Sequence, residues 1–351
     1  MRALGAGDRR LCGGILMPPL GLHCAAPGGG AGPAGASDVG RLLDGLRRAV
    51  ECGVTFLDTA DSYGLGRAER LIGRFLRERP DGSLRLGSKV GRVRGTAPHP
   101  FAGRRVRHQF EQSLENLHAE QLDLYTLDSF DFGRGDRYLG NAIDAMRALQ
   151  AVGAVKAIGL RGPGADCAAS VEERRAEAER FLYLFGLIRP DVVWVRFHAC
   201  TPALLLGGED LLSFTARHGV GLVLAEAPRH RRFTGTSAAD PVSWRPFLPG
   251  GRRPAAWAAG EIGVGLRMLR DHFGDAPGTL ARLALRACVQ RGGNCVVLVS
   301  LDAETPVEHS YGGLGTALTE PELAVIDAVY SHIRAGLGGD AGRGLVEGMA
   351  R

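Results

Sequence analysis

The sequence predicts an α/β chain folded as a (β/α)8 barrel. Three observations carry that expectation. From residue 38 onward, segments with apolar residues at helical spacing alternate with short apolar runs bounded by turn residues. The short runs number eight once PPLGLH near the start is counted, and 351 residues suit a barrel of that kind. No linker composition interrupts the alternation, so the chain reads as one domain over 1–351, with 1–17 as an N-terminal extension or hairpin and 336–351 as a C-terminal tail.

The elements follow in order. Ser37 or Asp38 can cap a helix whose apolar positions Val39, Leu42, Leu43, Leu46 and Val50 share one face, and Gly53 can end it before the strand VTFLD. A helix around Ala68 to Leu76 leads to LRLGSK, one around Gln109 to Leu117 to LDLYTLD, and one around Ala142 to Gln150 to VKAIGL. Then come a charged helix near Val171 to Phe185 with VVWVRF, a helix near Leu204 to His218 with GLVLAE, and a helix near Thr279 to Gln290 with CVVLVS. Arg229 to Ala259, rich in proline, reads as a long loop over the barrel mouth. A doubly wound sheet would need a phosphate-cradling turn after its first strand. The glycine-rich stretch Pro27 to Ser37 has neither of the spacings that such a turn requires.

Composition narrows the function classes. A formal charge of +5 and a pI near 9.0 invite a nucleic-acid reading. The basic residues are scattered, however, and GRRVRH (Gly103 to His108) and RHRR (Arg229 to Arg232) read as solvated faces, so no nucleic-acid partner is expected. No run approaches the roughly 20 apolar residues that span a bilayer, so no membrane partner is expected either. Seven cysteines without a CxxC pair or a metal-ligand spacing suggest a reduced, cytoplasmic setting and no metal. Arg9-Arg10 followed by LCGGILMPPLGLHCAA resembles a secretory signal, but Gly, Pro-Pro and His interrupt the apolar run. Of the 43 cationic residues, 41 are arginine, which leaves Lys89 and Lys156 as informative exceptions.

Catalytic groups of such a barrel sit where the strands end on its C-terminal face, and here those ends are polar. His23 ends the first strand, and Asp58 the second with Tyr63 just beyond. Lys89 ends the third and Asp128 the fourth, Arg161 follows the fifth, Arg196 and His198 end the sixth, and Glu226 ends the seventh. Charges gathered in one site must be paired, and pairing perturbs pKa values as acid/base work requires. A phenol with a pKa of about 10 is a poor acid or base near neutrality, and a neighbouring ammonium is expected to lower it. Asp58 can keep that ammonium charged. Lys156 precedes its strand and reads as a surface residue.

The stretch GVTFLDTADSYGLGRAERLIG (Gly53 to Gly73) resembles the signature of the aldo-keto reductase superfamily. GSKVG (Gly87 to Gly91), QLDLYTLDSFD (Gln121 to Asp131) and VGAVKAIGL (Val152 to Leu160) follow in that family's order, and the sugar-dehydrogenase-like branch is nearest. The resemblance implies that Tyr63 is proton donor or acceptor, tuned by the Lys89–Asp58 ion pair. It implies a nicotinamide cofactor, NADP or NAD, and a small-molecule substrate. The usual fourth catalytic residue is histidine, and Asp128 stands in its place. Steroid 5β-reductases of the family carry a carboxylic acid there and reduce a conjugated C=C bond, so Asp128 reads either as a mark of altered chemistry or as a drifted, solvent-bathed carboxylate.

The cofactor positions depart further. Arg161-Gly162 replaces the Ser-Asn that holds the carboxamide, Trp194 replaces a glutamine, and Glu226 replaces the aromatic residue that stacks on the nicotinamide. Ser300 and Asp302 lie in the segment aligned with the 2′-phosphate site, where an acid repels phosphate, so either NADP is held differently or NAD is preferred. Three functions are therefore compared. The first is a nicotinamide-dependent oxidoreductase acting on a carbonyl, hydroxyl or conjugated C=C of a small polar metabolite. The second is a cofactor-independent lyase, dehydratase or isomerase in which His23, Asp128 and Glu226 move protons while Arg161, Arg196 or His198 holds an anionic substrate. The third is a non-catalytic binding or scaffold protein, against which the retained Tyr63 and Lys89 count. On the substrate side His23, Arg196 and His198 are the expected contacts.

Overall fold

Eight parallel strands close into a barrel in the computed structural model, which describes residues 9–12, 15–25, 36–79, 82–164, 171–197, 205–225, 256–276, 279–290, 292–301 and 315–338. A hairpin of β1 (Arg9–Cys12) and β2 (Ile15–Met17) precedes the barrel. Its strands are β3 (Leu20–His23), β4 (Phe56–Asp58), β5 (Arg85–Val90), β6 (Leu122–Leu127), β7 (Val155–Arg161), β8 (Val192–Arg196), β11 (Gly221–Ala225) and β12 (Cys295–Ser300). Pairing of β12 with β3, from Val297 opposite Leu20 to Ser300 opposite His23, closes the ring. The eight expected runs are these eight strands.

Two-residue periodicity sorts the side chains to the two faces of the sheet. In β11, Leu222 and Leu224 face the helices while Val223 and Ala225 face the barrel axis, and β12 repeats the pattern with Val297 outward and Val296 and Leu298 inward. The interior is plugged from below by Leu11 and Met17 of the hairpin. Residues of the signal-like segment are thus built into the barrel floor and its first strand. The rings of Phe56 and Trp194 fill the middle layer, and Gly21 and Gly87 leave room for the first of them. A Cβ at Gly21 would lie 2.8 Å from the Phe56 ring, and one at Gly87 3.1 Å from it.

The surrounding helices are α1 (Ala36–Glu51), α2 (Arg67–Arg77), α3 (Arg105–Leu117), α4 (Leu139–Ala151), α5 (Val171–Ile188), α6 (Leu211–Arg217), α7 (Ala256–Phe273), α8 (Thr279–Gln290) and α9 (Glu320–Gly338). Three expectations are corrected. Ser37 and Asp38 fall inside the first turn of α1 and are not its cap, because the helix already runs from Ala36. The helix expected from Leu204 begins only at Leu211: Gly207 and Gly208, both at positive φ, turn a short antiparallel ribbon, β9 (Leu205–Leu206) and β10 (Glu209–Asp210). Asp210 then caps α6 by accepting from the backbone N–H groups of Leu212 and Ser213.

The third correction concerns α7 and α9, which the alternation did not announce. They pack on each other through Leu266, Leu269, Val329 and Ile333. The α7 segment carries Gly260, Gly263 and Gly265, and Gly265 is where α9 approaches: a Cβ there would lie 2.5 Å from Ile333 Cδ1. The helix therefore begins inside the stretch expected as a mouth loop, whose remainder lies outside the described residues, as do Pro27 to Gly35 and residues 339–351. Among the described residues no helix is long and apolar enough to cross a membrane. Arg104 and Arg107 of the GRRVRH segment lie exposed around the start of α3, while RHRR lies outside the described residues.

Candidate active site

The strand ends bring Asp58, Lys89 and His23 together under Tyr63. All three sit at inward positions, and the first two are buried, at 0% and 1% exposure, a depth at which an unpaired charge is prohibitive. Lys89 Nζ donates to Asp58 Oδ2 at 2.6 Å and to the Thr59 carbonyl at 2.5 Å. His23 Nδ1 shares the same carboxylate oxygen at 2.8 Å, while Asp58 Oδ1 is buried with no partner among the described residues. Below them the Trp194 ring forms a floor, its centroid 4.7 Å from Lys89 Nζ.

Tyr63 is carried by a short irregular segment pinned at both ends. The Thr59 amide donates to the Gly87 carbonyl, the Gly66 amide to the Asp61 carbonyl and the Ala68 amide to the Tyr63 carbonyl. Gly64, Leu65 and Gly66 all have positive φ, which turns the chain into α2. The ring stands edge-on to His23, centroids 5.3 Å apart at 85°, with Lys89 Nζ 5.2 Å from its centroid.

The rest of the signature anchors this segment. Glu69, fully buried on α2, accepts from Ser88 Oγ of β5 at 2.7 Å and from Asn116 Nδ2 of α3 at 2.9 Å. Gly73 allows α2 to press against the Asn116 carbonyl, where a Cβ would collide. Asp61, also buried, accepts from Gln109 Nε2 at 2.8 Å, and burial pushes its carboxyl up to about 7, with Glu69 and Asp128 adding to the rise.

Electrostatics corrects one expectation. For Lys89 burial alone would pull the pKa down, but Asp58, joined by Tyr63 and Asp128, outweighs it and holds the ammonium above its ordinary value. For Asp58 burial pushes up, and Lys89 and His23 together bring the carboxyl below its ordinary range. The phenol of Tyr63, expected to be lowered by Lys89, is instead raised. Burial outweighs the ammonium, and Asp58 and Asp128 oppose it further. The ammonium is balanced by the carboxylate it grips, so the phenol keeps its proton through the neutral range.

Beside Tyr63 opens a cavity of about 370 Å³ lined by Ser62, Tyr63, Arg92, Asp128, Arg161 and Arg196. Asp128 accepts from Arg92 Nε at 3.1 Å and lies 4.0 Å from Arg161 Nη1. Both described partners of the carboxylate are guanidinium groups. Arg92 escaped the sequence reading, although GSKVGR places it three residues beyond Lys89, because that reading ended the strand at Lys89; the strand runs to Val90 and Arg92 follows it by two residues.

Other expected residues fall elsewhere. Trp194 is 2% exposed and does not line the cavity. Gly162 is packed in the barrel wall, where a Cβ would lie 3.0 Å from Val193 Cγ1. Ser300, opposite His23 at the end of β12, has a buried hydroxyl with no partner among the described residues. His198, Glu226 and Asp302 lie outside the described residues. Lys156 pairs at 2.8 Å with Asp123 and is 45% exposed, a surface residue as expected.

Comparison with known proteins places this geometry. L-galactose dehydrogenase of Arabidopsis thaliana is 25% identical over 329 residues, covering 90% of this chain and 93% of that protein. D-threo-aldose 1-dehydrogenase of a Pseudomonas species is 29% identical over 180 residues, 42% of this chain and 50% of that one. In fold, a glycerol dehydrogenase from Gluconobacter oxydans superposes with a TM-score of 0.66 at 17% identity, covering 93% of this chain and 95% of that one. An aldo/keto reductase from Klebsiella pneumoniae, solved with NADP and acetate, gives 0.62 at 21%, covering 92% and 95%. Residues 24–331 match the sequence profile of the aldo/keto reductase family. With the barrel closed and the signature segment folded around Asp58, Tyr63 and Lys89, the chain belongs to the aldo/keto reductase family and is an oxidoreductase of that type.

Proposed function

We propose that this chain is a nicotinamide-dependent oxidoreductase that reduces a carbonyl group of a small polar metabolite, or oxidises the corresponding alcohol, with Tyr63 handling the proton. The observation that carries the reading is the placement of the Tyr63 phenol at the cavity wall, over the buried Asp58–Lys89 pair. Its raised pKa suits a donor: the phenol is protonated at neutral pH and can pass its proton to a carbonyl oxygen as negative charge develops there. Lys89, 5.2 Å from the ring centroid, then stabilises the phenolate left behind. Asp58 and His23 keep that ammonium in place and charged.

A nicotinamide dinucleotide supplies the hydride when bound. The chain's fit to such a group rests on the unpartnered buried hydroxyl of Ser300 at the strand ends, which can donate to a polar ligand group. Asp302 repels a 2′-phosphate at the position that the family resemblance assigns to that group, which favours NAD over NADP.

Asp128 differs from the usual histidine in more than chemistry. Its oxygens face Arg92 and Arg161, so it serves as an acceptor that orients guanidinium groups and not as the donor that steers a carbonyl. Tyr63 is left as the proton donor to the substrate oxygen.

The test is direct. NADH and NADPH are titrated separately against the protein by emission of the cofactor, and Tyr63→Phe is assayed with a panel of small aldehydes. Binding of a dinucleotide together with a loss in kcat of about 10² to 10⁴ in Tyr63→Phe is expected. Absence of binding of either dinucleotide at high micromolar concentration would sink the oxidoreductase reading in favour of hydride-free acid/base chemistry.

A further inference from the structure

We propose that the cavity beside Tyr63 recognises an anionic substrate, whose carboxylate or phosphate group is held by Arg92, Arg161 and Arg196. What happens to that substrate rests on the oxidoreductase reading above; its binding does not.

Charge balance in the cavity is the first argument. Among the described residues, three of the six that line the cavity are arginines and one, Asp128, is a carboxylate, while Lys89 beneath them is already balanced by Asp58. Asp128, the one carboxylate among the described lining residues, lies 3.1 Å from Arg92 and 4.0 Å from Arg161 and is shared between these two guanidinium groups. Burial in the cavity wall holds the Arg161 guanidinium below its ordinary value and Arg92 and Arg196 add repulsion, while Asp128 and Glu177 oppose the fall. Like charges crowded into a partly buried space cost free energy that a bound anion returns.

Geometry supplies the second argument. The three arginines come from different places on the barrel rim: Arg92 from the loop after β5, Arg161 from the end of β7 and Arg196 from the end of β8. Converging forks of this kind match the planar carboxylate or the phosphate group, which a single lysine would meet only as a point charge. In a chain with two lysines the choice of arginine alone says little, but its concentration around one cavity does.

Proximity to the phenol separates substrate from cofactor. Tyr63 lines the same cavity, so a group held by the arginines lies close to the reacting carbon. The phosphates of a dinucleotide are separated from its reactive ring by a ribose, whereas a small oxo acid, uronic acid or sugar phosphate carries its charge a few bonds from its carbonyl. The anion next to the phenol therefore belongs to the substrate.

Matched substrates test this. Initial rates with 4-carboxybenzaldehyde are compared with its uncharged methyl ester, and D-glyceraldehyde 3-phosphate with D-glyceraldehyde. We expect the charged member of at least one pair to be preferred by about tenfold or more in kcat/KM, mainly through KM, and the preference to shrink with added salt and in Arg196→Met. The pair that shows the preference says whether carboxylate or phosphate is the natural group.

In a separate arm that needs no turnover, sodium oxalate and inorganic phosphate are titrated calorimetrically into the wild type, Arg161→Met and Arg196→Met. Binding to the wild type that weakens about tenfold in either variant supports the proposal even if no aldehyde turns over, in which case only the oxidoreductase reading falls. Equal rates for acid and ester, with no binding of oxalate or phosphate to the wild type, overturn it. Competition between these anions and NADH also overturns it, because the arginines would then serve the cofactor's phosphates.

Discussion

Replacing Asp58 by asparagine removes the anion from the centre of the site while keeping its shape. Lys89, 1% exposed, would retain one carbonyl acceptor, that of Thr59, and an amide in place of a carboxylate. Breaking a buried ion pair at one end costs about 3–5 kcal/mol. The ammonium can escape only by shedding its proton. From its ordinary value of 10.5 that costs about 5 kcal/mol at pH 7, which sets the ceiling.

The pH window follows from the two shifts. Asp58 lies below its ordinary 3.8, so its contribution is present above that pH and lost as pH falls through the folded value. Lys89 lies above its ordinary value, so its contribution is present below pH 10.5 and lost above. Urea denaturation at pH 7, followed by circular dichroism, therefore reads the pair whole. We expect Asp58→Asn to lose about 3–5 kcal/mol and Asp58→Asn/Lys89→Met to recover most of it. If Lys89 is neutral in folded Asp58→Asn, its unfolded state binds one more proton, and the deficit should shrink by about 1.4 kcal/mol per pH unit on raising the pH towards 10. A single variant within about 1 kcal/mol of wild type, or a double variant costing the sum of its singles, would refute the account of Asp58 as the charge that holds Lys89.

Two further outcomes follow from the packing elsewhere in the molecule. Asp61, with its carboxyl raised to about 7, keeps a proton that the unfolded chain releases above 3.8. It therefore costs stability progressively between about pH 4 and 7, up to roughly 4 kcal/mol above that range. Asp61→Asn should flatten the decline in stability between pH 5 and 8, and parallel curves for the two proteins would count against the buried acid. On α7, Gly265→Val should cost about 1–3 kcal/mol by driving a side chain into Ile333. Gly263→Ala, whose nearest neighbour is the flexible Arg267 at 3.5 Å, should gain up to about 1 kcal/mol. Thermal melting that moves both variants in the same direction would remove Gly265 as the point of contact between α7 and α9.

The alternating pattern alone determined the barrel, because each strand must bury both faces and each helix only one, and these demands leave separate marks on a linear chain. It also determined that His23, Asp58 and Lys89 share one end of the barrel, since parallel strands in register place their C-terminal residues together. It could not reveal α7 and α9. Their packing depends on glycines that locally argue against a helix and pay off only when another helix arrives.

The direction of the Tyr63 shift was likewise beyond reach. Lys89 as a neighbour is legible from the motif, but the net effect depends on how deeply the phenol is buried and on Asp58 gripping the ammonium first. Arg92 and the partners of Asp128 belong to the same class. Sequence identifies the charged groups at the strand ends, whereas which charge neutralises which is decided by distances of 3–4 Å between loops far apart in the chain. Only the folded barrel turns scattered arginines into a cationic cavity next to a protonated phenol.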